Sequence, residues 1–251
     1  VLVGVVGWIG AYYMAAFIMF MCFLYTLIFL KPIDTESAPL SLQEAVVQPL
    51  KEFFSRKSVW AILVFILLYR VSDNMASIMT VSFLKSYLNF SRNQIAVYSQ
   101  APTILGIIIG SFVAGFLIPR MGLYKSLFVF GCLQALSNLT YIILAIVGKS
   151  VPVMVACFFV EHFFSGMATI AFVTFLMGLC DKRYSATQYS LFTALMSFPR
   201  DILGPFMGSF QAIYGWIDLY ILSIVLGLPA IIILVRMRKS YTFSNVNVED
   251  V

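Results

Sequence analysis

Arg70, Asp73 and Asn74 sit inside an otherwise apolar run, residues 59–87, VWAILVFILLYRVSDNMASIMTVSFLKSY. A helix rises 1.5 Å per residue, which puts Arg70 about 16 Å beyond Val59, roughly halfway through a hydrocarbon core of ~30 Å. Insertion of an Arg or Asp at that depth costs about 2.5–3.5 kcal/mol, so such residues face a bundle interior, a partner or water. Arg70 and Asp73 are three apart and share a helix face, where they can partly neutralise each other. Two chemistries fit: an ion pair that fixes helix packing, or a polar site for a substrate or proton.

Further polar residues recur at depth. Glu161 and His162 lie about ten residues in from Pro152 in VMVACFFVEHFFSGMATIAFVTFLMGLC,. Adjacent helical residues point about 100° apart, so one of the two faces a cavity squarely. Glu161 is the choice, because a carboxyl among apolar side chains can exchange a proton near neutral pH. His162, the sole histidine, reads as a hydrogen-bonded packing residue or possible substrate contact and makes a poor metal site. Arg200 stands between Pro199 and Asp201, with Pro205 following. It can pair with Glu161 or clamp an anionic ligand, since a guanidinium grips carboxylate and phosphate in a fork. Prolines within a membrane helix free backbone carbonyls, which suits a cavity wall. Gln134 and Asn138, four apart, offer hydrogen bonds for interhelical contact or for a sugar, and Asn74 is a further possible substrate contact.

Other chemistries find no footing. Cys22, Cys132, Cys157 and Cys180 occur singly in apolar runs, with no CxxC and no neighbouring His, so neither a metal nor a disulfide framework is expected. No HExxH, GxSxG, GxGxxG or P-loop is present, which argues against an enzyme or ATP-driven pump and implies no cofactor.

The elements that must hold these side chains follow from composition. Of the 251 residues, 61% are hydrophobic and 11% charged, with mean hydropathy +0.97. That is an integral membrane protein of all-α transmembrane class. The pI of 9.0 does not signal nucleic acid, because the basic residues fall in short loops between apolar spans. The start, VLVGVVGWIG, has no basic leader or small-residue cleavage site and does not read as a signal peptide.

The expected order is a first transmembrane helix at 1–30 and a polar linker at 31–57. Within the linker, SLQEAVVQPLKEFFSRK alternates apolar and charged positions, as an interfacial helix or a solvated linker would,. Six further spans follow within 58–236, at about 59–87, 94–118, 123–147, 151–179, 187–213 and 217–236, and then a tail at 237–251,. Seven crossings result. Lys31, Lys51, Arg56, Lys57, Arg120, Lys125, Lys182, Arg183, Arg236, Arg238 and Lys239 fall on one side; Lys85, Arg92 and Lys149 fall on the other. Positive residues stay inside, so the first set and the C-terminal tail are expected in the cytoplasm.

Gly106, Gly110 and Ala114 repeat at four-residue spacing, and Gly204, Gly208 and Ala212 do the same 98 residues later. Small residues at i and i+4 let helix backbones approach in lipid. Two such triads, each on the second span of a triplet, suggest a 3+3 inverted repeat.

The loop GFLIPRMGLYKS, through Gly115, Leu117, Arg120, Gly122 and Lys125, resembles the cytoplasmic loop signature of the major facilitator superfamily. Pro119 occupies the position of its usual acidic residue, which removes a charge-relay role. Longer segments, EAVVQPLKEFFSRKSVWAILVFILLYRVSDNMA, GLYKSLFVFGCLQALSN, GMATIAFVTFLMGLCDKRYSATQYSLFTAL and GPFMG, are similar to the AmpG-type muropeptide permeases of that superfamily. The resemblance implies the sixth helix plus the C-terminal six-helix half of a twelve-helix proton-driven importer of anhydro-muropeptides in the bacterial inner membrane. It implies the N-terminal half, upstream or as a separate chain, as partner. It puts Asp73 and Glu161 on the family's acidic positions, Arg70 on its basic one, and Arg200 on the arginine before the GP pair. A carrier of another anionic, acyl-CoA-like substrate and a non-transporting receptor or scaffold are the alternative functions.

Overall fold

The computed structural model describes residues 2–29, 42–55, 59–181 and 185–240. Part of the linker, the basic residues Lys31, Arg56, Lys57, Lys182 and Arg183, and the tail 241–251 lie outside them. Every described element is helical. They are α1 (Leu2–Phe29), α2 (Leu42–Phe54), α3 (Val59–Tyr69), α4 (Val71–Ser82) with a π-helical end (Phe83–Tyr87), α5 (Arg92–Met121), α6 (Leu123–Ser137), α7 (Leu139–Val147), α8 (Val151–Leu179), α9 (Ser185–Tyr214) and α10 (Trp216–Ser240). Residues 1–38 and 39–251 form two compact units. The first contains α1, bent at Gly7, whose φ of 70° only glycine adopts readily,.

Local signals in the chain account for the boundaries. Ser91 and Gln94 form a reciprocal capping box at the start of α5, with N···O distances of 3.2 and 3.0 Å,. Pro152 sits in the first turn of α8, where its missing N–H costs nothing. Gly122, at φ 80°, turns the chain from α5 to α6 while its N–H closes α5 on Ile118 O,.

Among the described residues, six helical stretches are long and apolar enough to cross a membrane: Gly7–Phe29, Val59–Tyr87, Arg92–Met121, Leu123–Val147, Val151–Leu179 and Trp216–Arg238. The seventh crossing expected at 187–213 is a continuous 30-residue helix, α9. Its Ser, Thr and Gln side chains with Arg200 and Asp201 keep it out of that set.

In the second unit α5 packs along α8, and α6 packs on α8; α9 and α10 both pack on α3 and α4, and α10 on α6 and α7. Exchanging the first three spans for the last three maps these pairings onto one another. Three spans per repeat reverse direction across the membrane, giving the inverted relation.

The core is layered. One cluster holds Phe65, Tyr69, Phe130, Met167, Phe172 and Phe192, and the other Val71, Phe83, Tyr141, Phe158, Trp216 and Tyr220. Each span changes from one cluster to the other at the same level. That level carries Arg70, Asp73, Gln134, Asn138, Glu161, Arg200 and Ser223.

The two small-residue triads behave differently. A Cβ on Gly106 would stand 2.8 Å from Phe159 O, one on Gly110 would overlap Phe163 O, and Ala114 is fully buried. Gly166 answers from α8, its Cβ position 2.7 Å from Ile107 O. Gly204 instead meets only an Ile78 methyl at 3.9 Å, Gly208 meets nothing within 4 Å, and Ala212 is exposed. The close backbone approach expected at Gly204, Gly208 and Ala212 is therefore not realised among the described residues: Gly204 touches α4 only through the Ile78 methyl, and Gly208 and Ala212 are exposed.

Candidate functional site

The site begins with a break. Val59–Tyr87 is not one straight helix: Arg70 adopts φ −99°, ψ 2° between α3 and α4. From this junction the guanidinium reaches Thr169 on α8, and Asp73 stands on the first turn of α4. Arg70 Nη2 lies 2.7 Å from Asp73 Oδ2, and Arg70 Nη1 donates to Thr169 Oγ1 at 2.6 Å. Thr169 in turn donates to Ser165 O, one helical turn back. The second Asp73 oxygen, Oδ1, accepts from Gln134 Nε2 at 3.1 Å. Both carboxylate oxygens thus have charged or polar partners, the condition for keeping an ion inside an apolar bundle.

Glu161 reaches the same cluster from α8. It is 3% exposed and within electrostatic reach of Asp73. Its Oε2 lies 2.5 Å from Nδ1 of the adjacent His162. That nitrogen also donates to Phe158 O at 2.9 Å, and the imidazole stacks on the Phe158 ring with centroids 5.7 Å apart. His162 is half-buried, so Glu161 is the inward member of the pair. The Arg70–Asp73 and His162–Glu161 pairs therefore stand as neighbours, with two carboxyls, one guanidinium and one imidazole between them. With both carboxyls ionised and the imidazole neutral, the cluster is one negative charge out of balance, and one proton restores neutrality.

The remaining candidates separate by surroundings. Asn138 is fully buried and donates to Ser72 Oγ and Ser223 Oγ, both at 3.0 Å. It stitches α4, the α6–α7 junction and α10 together and is closed to a ligand. Asn74 is half-buried beside the Arg70 break. Arg200 lies at the same level but is exposed and makes no ion pair with Glu161. The reason is angular: α9 packs on α4 through its opposite face, so Pro199 is buried and Arg200 faces outward. In the α5–α6 turn Gly115, Gly122, Arg120 and Lys125 are exposed, and Arg120 Cζ lies 3.3 Å from the Phe116 ring centroid. Among the described residues no group of three His, Cys, Asp or Glu side chains is placed to hold a metal ion.

Several contributors carried no obvious mark in the sequence. Thr169 and Ser165 follow Glu161 at intervals of four, a polar stripe on α8 that helical periodicity makes visible. Gln188 carries no such pattern, yet its side chain is a hub. Its Oε1 accepts from Asp181 N at 2.7 Å while Nε2 donates to Pro49 O at 3.1 Å and Glu52 Oε2 at 2.8 Å. It ties α2 and the α8–α9 turn to α9, beside an edge-on Phe53–Phe192 contact at 4.9 Å.

Comparison with known proteins fits this arrangement. The model of the Major Facilitator Superfamily matches residues 1–200 and, in a second overlapping match, 71–246. The Anhydromuropeptide permease of Escherichia coli (strain K12) is 37% identical over 241 residues, 96% of this chain and 49% of that protein. An AmpG-named candidate transporter of Rickettsia bellii (strain RML369-C) is 29% identical over 190 residues, 76% of this chain and 46% of that one. The chain spans about half the length of the curated relatives it matches. By the match over most of its residues, and by its inverted triplets of spans around a polar middle layer, this chain belongs to the major facilitator superfamily, a family of membrane transporters and not of enzymes.

Proposed function

We propose that the chain is the sixth helix and C-terminal half of a proton-coupled importer of anhydro-muropeptides, working with an N-terminal half across a bacterial inner membrane. Its C-terminus lies in the cytoplasm, on the side that carries Lys51, Arg120, Lys125, Arg236 and Arg238,. Substrate identity rests on similarity to the Escherichia coli permease. Coupling rests on one observation: two buried carboxyls, Asp73 paired with Arg70 and Glu161 paired with His162, lie within electrostatic reach of each other.

In that reading the proton is the second positive charge the cluster needs. When Asp73 and Glu161 share it, the site is neutral and can pass through the apolar phase of the cycle. When it leaves, the excess negative charge must be offset by water or by movement of Arg70, which biases one access state over the other. Arg70 holds Asp73 and is itself held by Thr169, so loss of the proton is felt at the α3–α4 break and on α8 together. Arg200, exposed at the same level, is the group that binds an anionic part of the substrate.

Asp73→Asn in the complete carrier is expected to abolish uptake driven by a pH gradient in vesicles while leaving the bundle folded. Gradient-driven uptake at the unaltered rate would refute the role. A variant that only loses thermal stability, from a parent that shows no flux, would favour a scaffold.

A further inference from the structure

The residue before Arg70 is fixed in place. Tyr69 is buried at the end of α3, stacks on Phe172 of α8 with ring centroids 4.7 Å apart at 17°, and donates its hydroxyl to Leu127 O of α6 at 3.1 Å. Position 131 on α6 is a glycine, where a Cβ would stand 3.0 Å from the Tyr69 ring and 3.3 Å from its hydroxyl. A methyl there would crowd the phenol, which pins the end of α3 to α6 and α8. α8 is held in turn along α5, since Gly110 meets the Phe163 backbone and Gly166 the Ile107 backbone with no room for a Cβ,.

From that fixed point the Arg70 side chain reaches two polar partners among the described residues. Nη2 pairs with Asp73 Oδ2 at 2.7 Å, and Nη1 donates to Thr169 Oγ1 at 2.6 Å. The first bond weakens when Asp73 takes up a proton, because a neutral carboxyl no longer draws the guanidinium as an ion. The second does not depend on that proton. Thr169 has one hydroxyl proton and gives it to Ser165 O, one turn back, at 2.6 Å, so its lone pairs are left to accept from Arg70. Thr169 and Phe172 are three apart on α8, so the hydroxyl and the ring beneath Tyr69 share a helix face,. A guanidinium on a flexible stem, let go by its carboxylate in apolar surroundings, moves toward water unless a second acceptor retains it.

We infer that Thr169 is a positioning residue whose hydroxyl keeps the Arg70 guanidinium on α8 while the bond to Asp73 is broken and remade. Arg70 stays protonated throughout. The proton that arrives turns the Asp73 carboxylate into a neutral carboxyl, and the proton that leaves restores an ion pair whose cation is already in place. Gln134 holds the other carboxylate oxygen from α6 at 3.1 Å, and the charged or titratable neighbours of Asp73 are Arg70 from the α3–α4 junction and Glu161, with its partner His162, from α8. The inference rests on the proton role proposed above for Asp73.

Transport of labelled anhydro-muropeptide by the complete carrier in vesicles tests it, measured once as uptake under a pH gradient and once as exchange against unlabelled substrate with no gradient. Thr169→Val keeps the shape and removes the acceptor, whereas Thr169→Ser keeps the acceptor and loses a methyl. Thr169→Val is expected to lower driven uptake by about tenfold or more and exchange by less than about threefold, and Thr169→Ser to retain driven uptake near the parent's, with unfolding temperature in detergent reporting the fold. Parental driven uptake in Thr169→Val would overturn the inference, and so would equal loss of uptake and exchange, which marks a packing role. The proton reading fails separately: Asp73→Asn that still takes up substrate under the gradient sinks that reading, while an inactive Asp73→Asn beside an unaltered Thr169→Val sinks only the role of Thr169.

Discussion

Gln134 donates to the one Asp73 oxygen that Arg70 leaves open, at 3.1 Å, although 61 residues separate the two in the chain. The bond crosses from α6 to α4 inside the polar layer. Gln134→Leu should therefore leave a buried carboxylate oxygen without a partner and cost about 1.5–3 kcal/mol, the range for hydrogen bonds to charged groups. Thermal unfolding in detergent measures it, and Gln134→Glu should be worse by adding a third carboxyl.

Arg70 pairs with Asp73 at 2.7 Å, and Glu161 has its own partner in His162. Arg70→Ala should destabilise by about 3–5 kcal/mol, as breaking one side of a buried pair does. The double variant Arg70→Ala with Asp73→Asn should recover part of that loss. A double-variant cycle with no recovery would mean that the pair is not coupled.

The contrast between the glycine triads gives a paired prediction. Gly110→Ala forces a methyl into the Phe163 backbone, where no side chain can yield. It should push α5 off α8 and cost about 1–3 kcal/mol or more, read as a lower unfolding temperature. Gly208→Ala meets nothing within 4 Å and should not be destabilising by comparable measurement.

Gln188 holds α2 against α9 through two hydrogen bonds and the α8–α9 turn through a third. Gln188→Ala should raise amide exchange in residues 42–54 and in the α8–α9 turn while leaving α5 and α8 protected. Uniform loss of protection across the bundle would show that the contact supports the whole fold and not this corner.

How much could be read in advance differs from residue to residue. The Arg70–Asp73 pair was legible because both sit on one segment at a spacing of three, and a helix fixes their relation locally,. Glu161 was legible as a carboxyl at depth, since hydrocarbon makes any such residue conspicuous. Its meeting with Asp73 was not, because it depends on how α8 lies against the α3–α4 break. Arg200 shows the converse: equal depth gave it equal standing in the sequence, and the rotation of α9 left it outside the cluster. The two glycine triads likewise share a pattern and differ in surroundings.

Composition and periodicity by themselves determined that this chain is a bundle of membrane helices and which ionisable groups lie midway along them. A bilayer admits only helices with their backbone bonds satisfied, so apolar length is nearly sufficient information. The break at Arg70, the assignment of Asn138 to packing and Gln134 to the charged layer, and the convergence of Asp73 with Glu161 were decided by the tertiary structure alone. Depth along a helix follows from counting residues, but the direction a side chain faces across the bundle follows from which neighbour the helix packs against.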